Sequence, residues 1–420
     1  MSEKLAIHGG TPVRSEPWPP PNLGIAEFGV EEEEAVLRVL REQRVFRYTS
    51  GDDVSETARM ERAFADDVGR TYAHAVNSGT SAIICSLVGC GVGWGDEVIV
   101  PAYTYIATAA AVVGVGAVPV IAEVDNSLTI DPEDIKRKIT PYTKAIIPVH
   151  MRGVPCRMDE IMAIARENGL KVIEDTAQAD GGSYKGKPLA SIGDAGIFSF
   201  QQSKTITAGE GGLFLTDDEA IFERGRMAHD SAFGFWKPDE SEQRPIPGVG
   251  MRISEVSGAI ALVQHGRLAG IVEKLHARKY AVIEQIKDLD GIELQEIPDP
   301  EGDASVALIF FAKTEDKANE ISKALNAEGI GSGTMHSKDI PDRHIYRNWV
   351  YVLEKRGWSD KITPWSPEVY QGDVEYSEDM CPQSLDYLGR AIHIGLSQKM
   401  TEKDATDLAT AIRKVVTALA

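Results

Sequence analysis

The sequence predicts an α/β protein with a mostly parallel central sheet flanked by helices, followed by a smaller C-terminal α+β domain. Two observations predict the large domain. Short, continuously apolar runs recur through the first half, in "YAHAV", "DEVIV", "AVPVIAEV", "KAIIPV" and "LKVIED", the pattern of strands buried on both faces. Helix-period stretches alternate with them, "MDEIMAIARENG" being amphipathic, and such alternation gives a parallel sheet covered on both sides. A third observation sets off the C-terminal part. A long helical pattern begins near residue 252, in "EVSGAIALVQHGRLAGIVEKLHARKYAVIEQIKDL". Short strands ("ASVALIFFA") and helices ("KANEISKALNAEG", "EKDATDLATAIRKVVTAL") then mix. The expected organisation is an extended arm over 1–30, a large domain over 31–262 and a smaller one over 263–420.

The elements follow in order. The arm holds "GGTPVRSEPWPPPNLG", too much Pro and Gly for a regular element, and should drape over another surface so that Trp18 is covered. "EEEEAVLRVLREQ" begins acidic and turns apolar at helical spacing, a helix with negative charge at its favourable end. After Gly212, "LFLTDD" reads as a strand ending in a turn. Residues 230 to 250, "DSAFGFWKPDESEQRPIPGVG", form a polar loop with embedded aromatics, and loops of that length are usually functional or disordered.

Composition narrows the function. Across 420 residues, 44 basic and 64 acidic side chains leave a formal charge of −20. That argues against binding nucleic acid or anionic membranes, which require a positive footprint. No apolar stretch reaches the roughly 18 residues of a spanning helix, and "MSEKLAIHGGTPVR" does not start as a secretory signal. Four irregularly spaced cysteines (Cys85, Cys90, Cys156, Cys381) indicate neither a disulfide framework nor a metal site. A reduced, cytoplasmic protein is expected.

Chemistry is sought just past each strand, because open parallel sheets bind ligands beyond the carboxyl ends of their strands. "NSGTSA" (77–82) places small residues at a helix start. It reads either as a phosphate cup or as an ordinary helix cap. In "VIEDTAQA", Asp175 ends an apolar strand with Gln178 three residues on; it either meets a cation or donor, without which its burial is costly, or caps a following helix. "FSFQQSKTITAGEGG" places Lys204 among Phe198, Phe200 and three glycines, with Ser199 nearby. That lysine is either a solvated loop residue or a Schiff-base amine, whose pKa of about 10.4 burial must lower. Phosphate cup, carboxylate and amine together are the three functions that hold and activate pyridoxal 5′-phosphate.

The segments "NSGTSA", "GWGDEVIVPAYTYIATA", "KAIIPVH", "VIEDTAQA" and "GDAGIFSFQQSKTITAGEGGLFLT" together resemble the DegT/DnrJ/EryC1/StrS family of sugar aminotransferases, a branch of the fold-type I pyridoxal-phosphate enzymes. "LAIHGGTPVR" and "GMRISEVSGAIALVQ" extend the likeness to about residue 265. The resemblance implies that Lys204 forms the internal aldimine and shuttles a proton, and that Asp175 pairs with the pyridinium nitrogen. By the same match Gln178 lies beside the ring, Tyr105 stacks on it with Tyr103 as the rival, and Gly79, Thr80 and Ser199 hold the phosphate. Family members commonly carry an Asn, donated to the partner's phosphate, where this chain has Gly250. Arg252 matches a residue that reaches the partner's site, or forms an interface ion pair. Arg152, in "VHMRG", stands where many relatives are uncharged and either contacts an anionic group of the substrate or forms a local ion pair. His229 and Asp230 are further substrate candidates, a structural histidine being the plainer reading.

The implied reaction moves an amino group from glutamate or glutamine to a keto-sugar or keto-cyclitol. The acceptor is a nucleotide-linked keto-sugar, a scyllo-inosose-type cyclitol or a keto-octulosonate. Two other readings stand beside it: a dehydrating or aromatising enzyme of the aminohydroxybenzoate synthase type, and a regulatory homologue without turnover. Family sites lie where two subunits meet, so a homodimer is expected.

Overall fold

Seven strands form the central sheet in the computed structural model, which describes residues 4–21, 23–49, 51–231, 245–336 and 341–419. They are β1 (Tyr72–Val76), β2 (Glu97–Pro101), β3 (Val118–Ala122), β4 (Thr143–Ile146), β5 (Lys171–Asp175), β6 (Ala195–Ser199) and β7 (Gly212–Thr216). Their order is β1-β7-β6-β5-β4-β2-β3. Pairing is parallel from β3 through β2, β4 and β5 to β6, and antiparallel on both sides of β7. Every residue of β2, β3, β6 and β7 is buried, which is why these strands read as continuous apolar runs.

The reversed direction of β7 matters for the site. β6 leaves the sheet at Ser199 and β7 re-enters it at Gly212, directly opposite in the register. The connection between them, with Lys204, therefore stays at the carboxyl edge of the parallel strands.

A second, antiparallel sheet runs in the order Glu293–Leu294, Ala307–Phe311, Ala391–Gly395, Gly333–Thr334. Its alternation divides the core. Leu308, Phe310, Ile392 and Ile394 pack with the helix Glu402–Leu419, whereas Ala307, Ile309, Phe311 and Ala391 join the core of the central sheet. His393 therefore points toward the large sheet by the period-2 rule. The helix Glu255–Ile286 runs unbroken across position 262 and ties the two parts together. Between this helix and the small sheet, Lys279 and Asp303 form a fully buried ion pair at 2.5 Å.

The N-terminal arm crosses the C-terminal part of its own chain. Glu328 accepts the backbone N–H groups of Ala6 and Val13 and binds Lys414 at 2.8 Å. Arg14 pairs with Asp404 and Asp407, and Trp18 lies against Gly331. Two short 3-10 turns, Ala6–His8 and Gly24–Glu27, interrupt its extended course. Of the long loop expected over 230 to 250, residues 232–244 lie outside the described residues.

Candidate active site

A cavity of about 670 Å³ opens at the carboxyl edge of the sheet, within the size range of small-molecule sites. Gly79, Thr80, Tyr105, Arg152, Asp175, Gln178, Ser199 and Lys204 all line it. These residues are far apart in sequence, and the parallel topology brings them together because each follows or ends a neighbouring strand.

"NSGTSA" both caps a helix and borders the cavity. Ser78 Oγ accepts the N–H of Ser81 at 3.1 Å and starts the helix Gly79–Gly89, so the cap reading is correct for Ser78. Gly79 and Thr80 nevertheless face the cavity, at the end of the helix where free N–H groups and the dipole favour an anion. The approach is close enough to require glycine: a Cβ at Gly79 would stand 2.7 Å from Ser199 Cβ and 3.0 Å from Ser199 Oγ. Among the described residues the side chains of Thr80, Ser199 and Gln178 make no hydrogen bond, leaving donors for a ligand.

Asp175 caps no helix. Turns follow it, and its Oδ1 accepts the N–H of Ala177 at 3.1 Å while Oδ2 accepts the hydroxyl of Thr108 at 3.0 Å. Burial raises its pKa, and the Ala177 N–H, Lys204 and the Thr108 hydroxyl hold it back. A cationic ring nitrogen opposite it would favour the ionised form further. Thr108 was not singled out in the sequence, although it lies three residues after Tyr105 in the quoted "YTYIATA".

Lys204 is not a solvated loop lysine. Its ammonium makes no hydrogen bond or ion pair among the described residues, and burial lowers its pKa, helped by Arg152 and opposed by Asp175 and Asp180. That is the condition an imine-forming amine needs near neutral pH. Asp180, fully buried with neither carboxyl oxygen partnered, has its pKa raised by desolvation, with Lys204 opposing the rise. The arm closes the cavity from above: Pro21 and Leu23 line it, and Gly24 N–H donates to the backbone oxygen of Lys204 at 3.2 Å. Arm residues could not be placed there from sequence, because nothing local marks which surface an extended segment crosses.

The two tyrosines separate. Tyr105 is half exposed to the cavity mouth, whereas Tyr103 is fully buried and takes a 3.3 Å hydrogen bond from Arg152 Nε. Two histidines complete the wall, His344 and His393. The alternation of "AIHI" could have pointed to His393, but no local signal marks His344.

His229 and Arg252 are not brought to this cavity. His229 closes the helix Glu219–His229 and shares a hydrogen bond with Tyr48 Oη at 2.9 Å, and burial pushes its pKa down to about 4. Arg252 pairs with Asp230. Gly250 is exposed, with open space where a side chain would be. Among the described residues no cluster of metal-ligating side chains occurs, and no helix is long and apolar enough to cross a membrane.

The donor set fits pyridoxal 5′-phosphate. Unpartnered hydroxyls and a helix N-terminus suit its phosphate, Asp175 its ring nitrogen and the unpaired amine of Lys204 its aldehyde.

The chain is 38% identical over 297 residues to the L-glutamine:2-deoxy-scyllo-inosose aminotransferase of Streptoalloteichus tenebrarius, a match covering 69% of this chain and 65% of that protein. It is 42% identical over 224 residues to the GDP-perosamine synthase of Caulobacter vibrioides, covering 53% and 59%. The matched part thus spans less than two thirds of these relatives' own length. Among solved structures, a 3-amino-5-hydroxybenzoic acid synthase superposes with a TM-score of 0.79 at 25% identity, over 97% of this chain and 100% of the other. The family model matches residues 27–363, a stretch that holds every cavity residue from Gly79 to Lys204, and the chain accordingly belongs to the DegT/DnrJ/EryC1/StrS aminotransferase family.

Proposed function

We propose that this protein is a pyridoxal-phosphate-dependent aminotransferase that moves an amino group from glutamine or glutamate to a keto-sugar or keto-cyclitol. The observation that carries the reading is the half-buried amine of Lys204, without a partner among the described residues, in one cavity with Asp175 and the start of the helix Gly79–Gly89. The glutamine-dependent cyclitol aminotransferase among its relatives supports the choice of donor and acceptor.

When bound, the cofactor supplies an electron sink for the carbon that loses its proton. The residues of this chain supply the rest. Lys204 Nζ, its basicity reduced by burial, takes and returns that proton. Asp175, oriented by Thr108 and Ala177, holds a proton on the ring nitrogen. Gly79, Thr80 and Ser199 would hold the phosphate, and Gln178 and Tyr105, which also line the cavity, would hold the ring. Pro21 and Leu23 exclude water from above.

The protein works as a homodimer on this reading. Ile25, Phe28, Val30, Leu37, Leu40 and Val45 are exposed within one stretch of chain, as is Val249 farther along it, and the occupant we infer for these side chains is a second copy. The four buried, unpaired cysteines support a reducing, cytoplasmic setting.

The test is to load the purified protein with the cofactor, fix it with borohydride and locate the adduct, then supply L-glutamine and follow the cofactor absorbance. An adduct at Lys204 and a donor-dependent spectral change are expected. Absence of any adduct refutes the reading. Water loss from the acceptor without a donor would instead favour the dehydrating alternative.

A further inference from the structure

Arg152 is an expensive residue to hold where it is. Its backbone is left-handed, at φ 54° and ψ 30°, a conformation unfavourable for a non-glycine residue. Gly153 follows at φ 92°, and its carbonyl receives the N–H of Ala304 at 3.0 Å. A Cβ at Gly153 would stand 3.0 Å from Ser305 N. The strained pair is therefore clamped against the entry to the small sheet, and the guanidinium is delivered into the cavity. The surrounding segments hold this strained backbone in place.

The guanidinium is also unpaired. Among the described residues Arg152 makes no ion pair, and its one hydrogen bond goes to Tyr103 Oη at 3.3 Å. Asp342 attracts it, but the Oδ1 of that carboxylate is engaged by His344 N–H at 2.9 Å and His344 Nδ1 at 2.7 Å. An independent observation points the same way. His393, on the strand Ala391–Gly395, lines the cavity with its Nε2 buried and without a partner among the described residues. Burial, helped by the charge of Arg152, pushes its pKa down to about 3, so the ring is neutral and offers a single N–H donor. Of the described residues lining the cavity, only Arg152 and Lys204 carry an arginine or lysine charge.

We propose that Arg152, held by Tyr103 behind it and joined by His393, forms a subsite for one carboxylate group of the molecules that exchange the amino group. This rests on the aminotransferase reading and narrows it. One fork-shaped guanidinium matches one carboxylate, which it binds through two parallel hydrogen bonds. A neutral cyclitol would leave that cation unmatched, and a diphosphate would bring more charge than one guanidinium balances. The carboxylate belongs either to the amino-acid donor or to an acidic keto-sugar acceptor, since both occupy the same cavity in turn.

The experiment compares the wild-type protein with R152Q, R152K and R152N, asparagine tolerating the left-handed backbone. Calorimetry with 2-oxoglutarate on the cofactor-free chain reads the subsite without turnover, so its result is independent of whether the cofactor is captured. Binding is expected to weaken at least tenfold in R152Q and R152N, with R152K between them and the wild type. In the loaded protein, the two half-reactions are then followed with L-glutamine, with 5-ketogluconate and with neutral scyllo-inosose. A tenfold or larger rise in KM confined to L-glutamine assigns the carboxylate to the donor, and one confined to 5-ketogluconate assigns it to the acceptor. The neutral ketone should change by less than twofold. Equal binding of 2-oxoglutarate by wild type and R152Q, or equal losses for scyllo-inosose and the carboxylates, overturns the proposal.

Discussion

Replacing Gly79 with alanine should weaken cofactor binding far more than it weakens the fold. The added methyl would stand 2.7 Å from Ser199 Cβ, whereas carbon pairs settle at about 3.5–4.0 Å. Ser199 must therefore retreat by roughly 0.8 Å on that spacing, taking its hydroxyl away from the anion position. Overpacking of this kind costs about 1–3 kcal/mol, and the helix gains up to about 1 kcal/mol from losing a glycine. The net loss of stability is about 0–3 kcal/mol on those figures. Binding loses one or two charge-assisted hydrogen bonds at about 1.5–3 kcal/mol each, or at least roughly tenfold in affinity. Urea unfolding of the cofactor-free chain measures the first quantity, and fluorescence titration with pyridoxal 5′-phosphate the second. The double variant Gly79→Ala with Ser199→Gly should recover stability, because the space is returned, while affinity stays low, because the hydroxyl is gone. Unchanged affinity in Gly79→Ala would refute the assignment of this helix start to the phosphate.

Other expectations can be checked separately. Asp175→Asn should still capture the cofactor at Lys204 but slow the donor half-reaction at least about 100-fold, seen in single-turnover absorbance; a wild-type rate would remove Asp175 from the proton chemistry. Glu328→Ala strips the arm of its anchor and leaves Lys414 buried without its partner, costing about 3 kcal/mol and exposing the arm to protease. Burial alone would raise the Glu328 pKa, but Lys414 and the N–H groups of Ala6 and Val13 hold it below its usual value. The anchor's contribution is therefore complete above the unfolded value of about 4.3 and is lost only as pH falls through the lower folded value. Proteolysis of the wild-type arm should accordingly begin in acid and not near neutrality. Asp303→Asn, which strands the buried ammonium of Lys279, should cost about 3–5 kcal/mol in urea unfolding, whereas replacing both by apolar residues of similar size should be close to neutral.

The sequence by itself determined the parallel sheet and the edge at which the candidate residues gather. Continuous apolar runs in "DEVIV" and "KAIIPV" can only be satisfied by burial on both faces, and the residues just past them fall at the ligand-binding edge by topology alone. Lys204, Asp175 and the "NSGTSA" helix start were legible for that reason. Tertiary structure alone decided what surrounds them. Arg152 had two readings in sequence, because a left-handed backbone and the absence of an ion partner among the described residues are properties of its neighbours, not of "VHMRG". His344 and Leu23 reach the cavity from distant segments with no local pattern to announce them. His229, beside a long loop in sequence, shares a hydrogen bond with Tyr48 and lies outside this cavity. Periodicity records which face of an element is buried, but the partner that meets a polar side chain there is set only when remote segments pack together.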